Sequence, residues 1–357
     1  YGSVHRIPPR RPVPNTKIAM STSVPSLRLR CLNEHAENTE GTYVLYWMVA
    51  ARRTRYNFGL QHAADRAAAL GLPLLVLEPL RLDYPWASDR FHSFVIRGMR
   101  DNQRALKGSS VSYYPYVEPR QGASKGLLYA LSKKAALIVS DDSPSFFLPQ
   151  MLGKVAQKLP VRLEVVDGNG IYPIHATTRV FTTAASLRRH LQKELPEHLA
   201  DMPKKNPLAR RKLKPLHNLE PSIVKRWPPM QLEAREWNPA TLAIEHSVCA
   251  VPGKGGPVAA RKALTRFLDR SFSDYLSLRN EPAAECQSYL SPYLHFGHIS
   301  AHEIFMTVVG REDWSPQRLA ERPSVSRIGW WGATVATETF LDQLITWREI
   351  GHNMATL

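Results

Sequence analysis

Tyr43, Val44, Leu45, Tyr46, Trp47, Met48 and Val49 form an unbroken apolar and aromatic run. A run without polar alternation suits a strand covered on both faces. A basic turn with Arg52, Arg53 and Arg55 follows, then an Ala/Leu-rich helical stretch from Asn57 to Leu70 that stops at Gly71. Residues 72–77 return to strand character. Strand, helix and strand in that order make a βαβ unit, which requires a parallel sheet with helices laid over it. The alternation continues, with strands expected at 110–116, 136–140 and 162–167 and helices near 126–134 and 149–158. Residues 41–175 therefore read as a doubly wound parallel α/β domain. No Gly-x-Gly-x-x-Gly follows its first strand, which weakens an ordinary dinucleotide-binding reading. Its switch point still offers a crevice for a small ligand. Asp141, Asp142, Ser143 and Pro144 stand at a strand's C-terminal end, where they either line that crevice or cap the next helix.

The flanks differ in kind. Residues 1–40 read as a disordered basic leader, because Ile7, Pro8, Pro9, Arg10, Arg11, Pro12, Val13 and Pro14 suit neither helix nor sheet. The chain does not begin with Met, and Met20 resembles a natural start, so the leader reads as upstream sequence. Residues 176–240 are rich in proline and bunched cations and read as a linker. From 241 to 357 strand signals vanish. Leu264, Phe267, Leu268, Phe272, Tyr275 and Leu276 recur at helical spacing, Ser300 and Glu303 form a capping box, and Phe340, Leu341, Leu344, Ile345 and Trp347 mark a further helix. The second domain is expected to be all-helical.

The net charge of +16 suits a polyanionic partner, though a basic surface alone produces the same figure. No apolar run is long enough to cross a bilayer. Three cysteines, Cys31, Cys249 and Cys286, give neither a disulfide framework nor a zinc pattern, so a reducing, cytoplasmic compartment is expected.

The most specific string runs from Gln287 to Ser300: Gln287, Ser288, Tyr289, Leu290, Ser291, Pro292, Tyr293 and Leu294, then His295, Phe296, Gly297, His298 and Ile299. Hydroxyls stand just before a helix start with proline at its first position, an arrangement that favours phosphate oxygens. A capped helix with an aromatic core face explains any one of these serines equally well. The whole string closely resembles the flavin-phosphate segment of the DNA photolyase and cryptochrome family. Arg279, Asn280, Glu281 and Pro282 upstream and residues 340–350 downstream look like further family segments, as do Tyr46–Met48, 94–99 and 166–173. The likeness is greatest to class II cyclobutane-dimer photolyases and their bacterial relatives, from about residue 41 to the last.

The resemblance implies an α/β domain followed by a helical FAD-binding domain, incomplete here because the family's later helices lie past Leu357. It implies a blue-light-driven deoxyribodipyrimidine photo-lyase that splits pyrimidine dimers by electron transfer from reduced flavin. UV-damaged DNA is the implied partner, a monomer the implied state, and a second antenna chromophore an open possibility. Position by position, Tyr275, Gln287, Ser288, Tyr289, Leu290 and Ser291 would hold the FAD phosphates. Arg348 would place a charge beside the cofactor, and Gln343 and Trp347 would border the lesion cavity. Arg348 in an ion pair and Trp347 in a core stripe are the bland alternatives. His295 and His298 are read as structural. Two departures stand out. The family commonly has Glu where Gln343 sits, and Asp342 beside it points about 100° away on a helix. Tyr56 replaces the usual Asp before Asn57. Gln343 leaves a six-four photolyase or a cryptochrome-like photoreceptor open, and loss of packed helices predicts poor solubility.

Overall fold

The computed structural model describes residues 23–233 and 239–356. The proline-rich stretch 7–14 and Met20 lie outside the described residues. Six strands form one sheet: β1 (Leu29–Cys31), β2 (Tyr43–Trp47), β3 (Leu74–Leu80), β4 (Ser112–Val117), β5 (Ala135–Asp142) and β6 (Leu163–Asp167). Their order is β1-β6-β5-β2-β3-β4, parallel throughout except for β1, which runs antiparallel to β6. The chain winds outward from β2 to β4 and returns to place β5 on the other side of β2. The topological switch point is therefore between β2 and β5.

Every residue of β2 and β5 is buried, as their unbroken apolar runs require. Helix α1 (Phe58–Leu70) crosses from β2 to β3. Asn57 caps it by accepting from the Leu60 amide (2.9 Å), and Gly71 ends it in the left-handed region at φ 64°. The remaining crossovers are α2 (Asp89–Leu106), α3 (Leu127–Ser132) and α4 (Leu148–Ala156).

Two expectations need correction. The leader does not extend to residue 40, because the chain is folded well before that. Val24 is buried, and Arg28 is fully buried with its guanidinium on the Asp167 carboxylate (3.1 Å) and the Gly170 and Ile171 carbonyls (3.2 and 2.7 Å). These bonds hold β1 against β6 as a sixth strand. Nor is 176–240 a plain linker. It contains α5 (Ala184–His198) and α6 (Pro221–Arg226). Leu187, Leu191, Leu195, Leu199 and Met202 are packed into the same core as the helices that follow.

Those helices are α7 (Gly256–Arg270), α8 (Tyr275–Leu278), α9 (Ser291–His295), α10 (Ala301–Val309), α11 (Val335–Leu341) and α12 (Arg348–Thr356). Ser300 accepts from the Glu303 amide (2.9 Å) at the start of α10, while the Glu303 carboxylate turns to Arg55 (3.6 Å). The helix expected through 340–347 is not uniform: Asp342–Trp347 is a π-helix between α11 and α12. Phe267, Tyr275, Leu290, Tyr293, Phe305, Trp331, Phe340 and Leu341 make the core of this half.

Candidate functional site

The sheet's C-terminal edge is organised by Asp141. Its Oδ2 accepts from the amides of Val49, Ala50 and Ala51 (2.9, 2.8 and 2.8 Å), and its Oδ1 accepts from the Tyr46 hydroxyl (2.5 Å). The loop after β2 is thereby pinned to the end of β5. Asn57 fixes the same loop from below by donating to the Ala51 and Arg53 carbonyls (3.0 and 2.8 Å). Arg53, buried, donates onward to the Gly297 and Gly168 carbonyls (3.1 and 3.4 Å) and ties sheet to helices. Gly297 is required there. Its φ is +70°, and a Cβ would lie 1.7 Å from the Ala50 carbonyl oxygen.

Beside this loop opens a crevice of about 330 Å³, walled by Trp47, Trp86, Phe91, Phe146, Phe147 and Phe296, with Arg52, Arg53, Arg81 and Arg348 reaching into it. Asp141, Asp142 and Ser143 line it, as the sequence suggested for that strand end. Both aspartates are already engaged. Burial would raise Asp142, but His175 (2.9 Å) and Arg30 (2.9 Å) hold its carboxyl below the usual range. Phe146 occupies the left-handed region at φ 60° and is two-thirds exposed at the mouth. Aromatic walls with several guanidiniums suit a planar, anionic molecule.

The second constellation lies on the helical half. Tyr275 is buried against Phe267 and Phe340 (ring centroids 5.3 and 5.5 Å), and burial pushes its phenol up. The Arg279 guanidinium sits 6.0 Å over the Tyr275 ring. Gln287, exposed, donates to the Arg279 carbonyl. Ser288 is half-buried and accepts from the Leu290 amide (3.4 Å). Tyr289 takes φ 53° and is half exposed, Leu290 is buried, and Ser291 opens α9 at the surface. Arg279 Nη1 is buried and meets no acceptor among the described residues. One guanidinium nitrogen without an acceptor, on a side chain that otherwise lies against Tyr275, fits an anionic group such as a diphosphate. Arg279 was visible in the sequence only as part of a family segment; its burial is what singles it out.

The structure does not gather all the expected residues in one place. Tyr275 and Leu290 share a core with Leu344 and Ile345 of the π-helix. Gln343 is half-buried on that turn and Trp347 is half exposed. Arg348 instead reaches the crevice with His295 and His352. Burial lowers its guanidinium against a partial offset from Glu349, and its Nε meets no acceptor among the described residues. His298 is fully buried, its Nδ1 accepting from the Gly256 amide (2.9 Å). Burial, then Arg52 and Arg53, push it down to about 3.

The chain is similar to several known proteins. It is 30% identical over 275 residues to the deoxyribodipyrimidine photo-lyase of Methanothermobacter thermautotrophicus, across 76% of this chain and 57% of that protein. It is 25% identical over 354 residues to the enzyme of the same name from Arabidopsis thaliana, across 94% and 64%. The chain thus spans less than two thirds of the length of either relative. Among solved structures, a bacterial class III photolyase from Agrobacterium tumefaciens superposes with TM-score 0.59 at 14% identity, over 91% of this chain and 61% of that one. A Synechocystis cryptochrome gives 0.55 at 14%, over 88% and 61%. No protein-family profile matches.

Proposed function

The chain belongs to the photolyase/cryptochrome family, and from that membership we propose that the protein is a blue-light-driven DNA lyase using FAD to split UV-induced pyrimidine dimers. The observation that supports the reading is the 275–291 segment, where Arg279 Nη1 is buried and meets no acceptor among the described residues and Gln287 donates to the Arg279 carbonyl. Ser288, Ser291 and Arg279 would hold the FAD diphosphate, with Gln287, Tyr289 and Leu290 shaping the segment and Tyr275 closing its buried side. The chemistry FAD supplies when bound is transfer of one electron to the dimer under light and its recovery once the dimer has split.

The chain's own part is binding and orientation. Gln343 and Trp347 would border the flipped-out lesion, with Gln343 offering amide hydrogen bonds in place of a carboxylate. Extrusion of a dimer is inexpensive because it is already poorly stacked. The +16 charge would hold the duplex phosphates. The crevice at the β2/β5 switch point would take a second, light-gathering chromophore, which its aromatic walls and arginines suit. Within the family the motif likeness is to class II, and a cytoplasmic monomer is the working state we assign. No described helix is long and apolar enough to cross a membrane.

Gln343 favours one other reading, a cryptochrome-like photoreceptor or a six-four photolyase. Parallel assays on a cyclobutane dimer and on a six-four lesion separate them. The purified protein, illuminated with blue light on an oligonucleotide carrying one cyclobutane dimer, restores the intact strand while a dark control does not. Repair of a six-four lesion alone, or of neither lesion despite bound flavin, would overturn the dimer assignment.

A further inference from the structure

We propose that Arg188, on α5, is a positioning residue for Gln343 and Trp347, acting through a two-pronged ion pair with Asp342 that fixes the π-helical turn carrying both. This rests on the reading that Gln343 and Trp347 border the lesion cavity. Arg188 Nε donates to Asp342 Oδ1 (2.8 Å) and Nη2 to Oδ2 (3.1 Å). The carboxylate side chain is only 4% exposed and the arginine 14%. A fork of two parallel bonds fixes the orientation of the carboxylate as well as its distance. Asp342 opens the π-helix Asp342–Trp347 and is bonded through the backbone to Gln343. A pin at the first residue therefore sets the direction in which the next one points.

The pin is itself anchored. Arg188 Nη1 donates to the Val325 carbonyl (3.1 Å). One turn along α5, Gln192 Oε1 accepts from the amides of Ser324 and Val325 (2.9 and 3.1 Å), and its Nε2 donates to the Ser326 carbonyl (2.9 Å). Val325 is held at φ +66°, a conformation that a β-branched residue avoids unless its surroundings impose it. The π-helix is likewise an uncommon form that turns everything after it relative to a straight α-helix. Leu344, Ile345 and Thr346 are buried on its inner side, while Gln343 and Trp347 emerge from it. Clamp, strained loop and π turn form one contiguous assembly, and the residues it presents outward are the two assigned to the substrate. An ordinary helix-to-helix brace would need neither the fork nor the strain.

The test uses the purified flavin-loaded protein and two variants, because leaving Asp342 unpaired in the interior could prevent folding. Arg188→Lys keeps the charge and loses the fork; Arg188→Gln with Asp342→Asn removes both charges and keeps hydrogen bonding. Three quantities are measured: flavin content, dimer repair per bound flavin at saturating light, and hydrogen exchange of the 342–348 amides. We expect both variants to keep their flavin, lose roughly 10–100-fold in repair per flavin, and lose protection across 342–348 while α10 stays protected. Unchanged repair per flavin, or a loss that follows flavin content alone, would overturn the positioning role. If the parent protein repairs no dimer, the functional reading fails separately. The latch is then decided by hydrogen exchange, where unaltered protection of 342–348 in both variants would refute it.

Discussion

Asp141 and Asp142 are neighbours at the end of β5, yet the structure assigns them very different weights. The Asp141 carboxylate is the shared acceptor for three amides, that of Ala51 buried and those of Val49 and Ala50 partly so, and for the buried Tyr46 phenol. Truncation by Asp141→Ala leaves the three amides without that acceptor and the Tyr46 hydroxyl with only Asn57 Oδ1 (3.3 Å). Each such donor costs about 1–3 kcal/mol when it stays buried. Relaxation of the loop and entry of water from the crevice keep the four from adding fully, so about 3–5 kcal/mol is expected in total. Asp141→Asn keeps the shape and one acceptor oxygen but gives up the charge-assisted bonds, for a loss of about 1–2 kcal/mol. Asp142 is itself buried, but the donors it serves, Arg30 and His175, are partly exposed and can turn to water when it is removed. Asp142→Ala should therefore cost about 1 kcal/mol or less. Urea unfolding followed by tryptophan fluorescence ranks the three. For a slope of about 3 kcal/mol per molar, Asp141→Ala moves the midpoint down by about 1 M or more, and Asp142→Ala by a few tenths. If Asp142→Ala proved as damaging as Asp141→Ala, the account of the loop after β2 would be refuted.

The buried His298 makes stability depend on acid. Its folded value, about 3, lies below the ordinary 6.5, so between those values the unfolded chain binds the extra proton. Stability therefore falls as pH drops through that window, by at most about 1.4 kcal/mol per unit. His298→Asn, which keeps an acceptor for the Gly256 amide, should flatten the plot of urea midpoint against pH between 6 and 4, with His302, His92 and the other histidines lowered by burial supplying the remaining slope; superimposable plots would contradict this. Gly297→Ala places a methyl against the Ala50 carbonyl at a positive φ, so a loss of about 3 kcal/mol or more, or failure to accumulate as folded protein, is expected in thermal melts. A melting temperature within one degree of the parent would show that the sheet and helices can separate there.

The strands a reader finds in the sequence are those whose information is local. β2, β3 and β5 are apolar on both faces, so no other element fits their composition, and Asn57 and Gly71 bound α1 with ordinary capping chemistry. β1 escapes because three residues, Leu29, Arg30 and Cys31, carry no period; it is held by Arg28, whose partners lie some 140 positions away. α5 was hidden by the prolines and cations around it, although Leu187, Leu191 and Leu195 are spaced for a helix. The π turn at Asp342–Trp347 has no local signature, since it depends on the fork from Arg188 and on core packing. The 287–291 string can be picked out in the sequence because its residues are consecutive. Arg279 cannot be singled out there, because its buried nitrogen is known only from the fold; of the crevice, only the Asp141–Ser143 strand end was legible, since its walls come from seven separate stretches of chain. Arg348, expected to place a charge beside the cofactor, lines the crevice with His295 and His352.

Flavin content tests the central claim most directly. Protein expressed from its own reading frame, purified and reconstituted with FAD, should bind close to one flavin per chain. Ser288→Ala combined with Ser291→Ala should weaken that binding by roughly 100-fold or more, the scale of two lost hydrogen bonds to a charged group, while leaving the thermal melt of the flavin-free protein in place. A protein that stays colourless through reconstitution, or a double variant that holds FAD as tightly as its parent, would contradict the assignment.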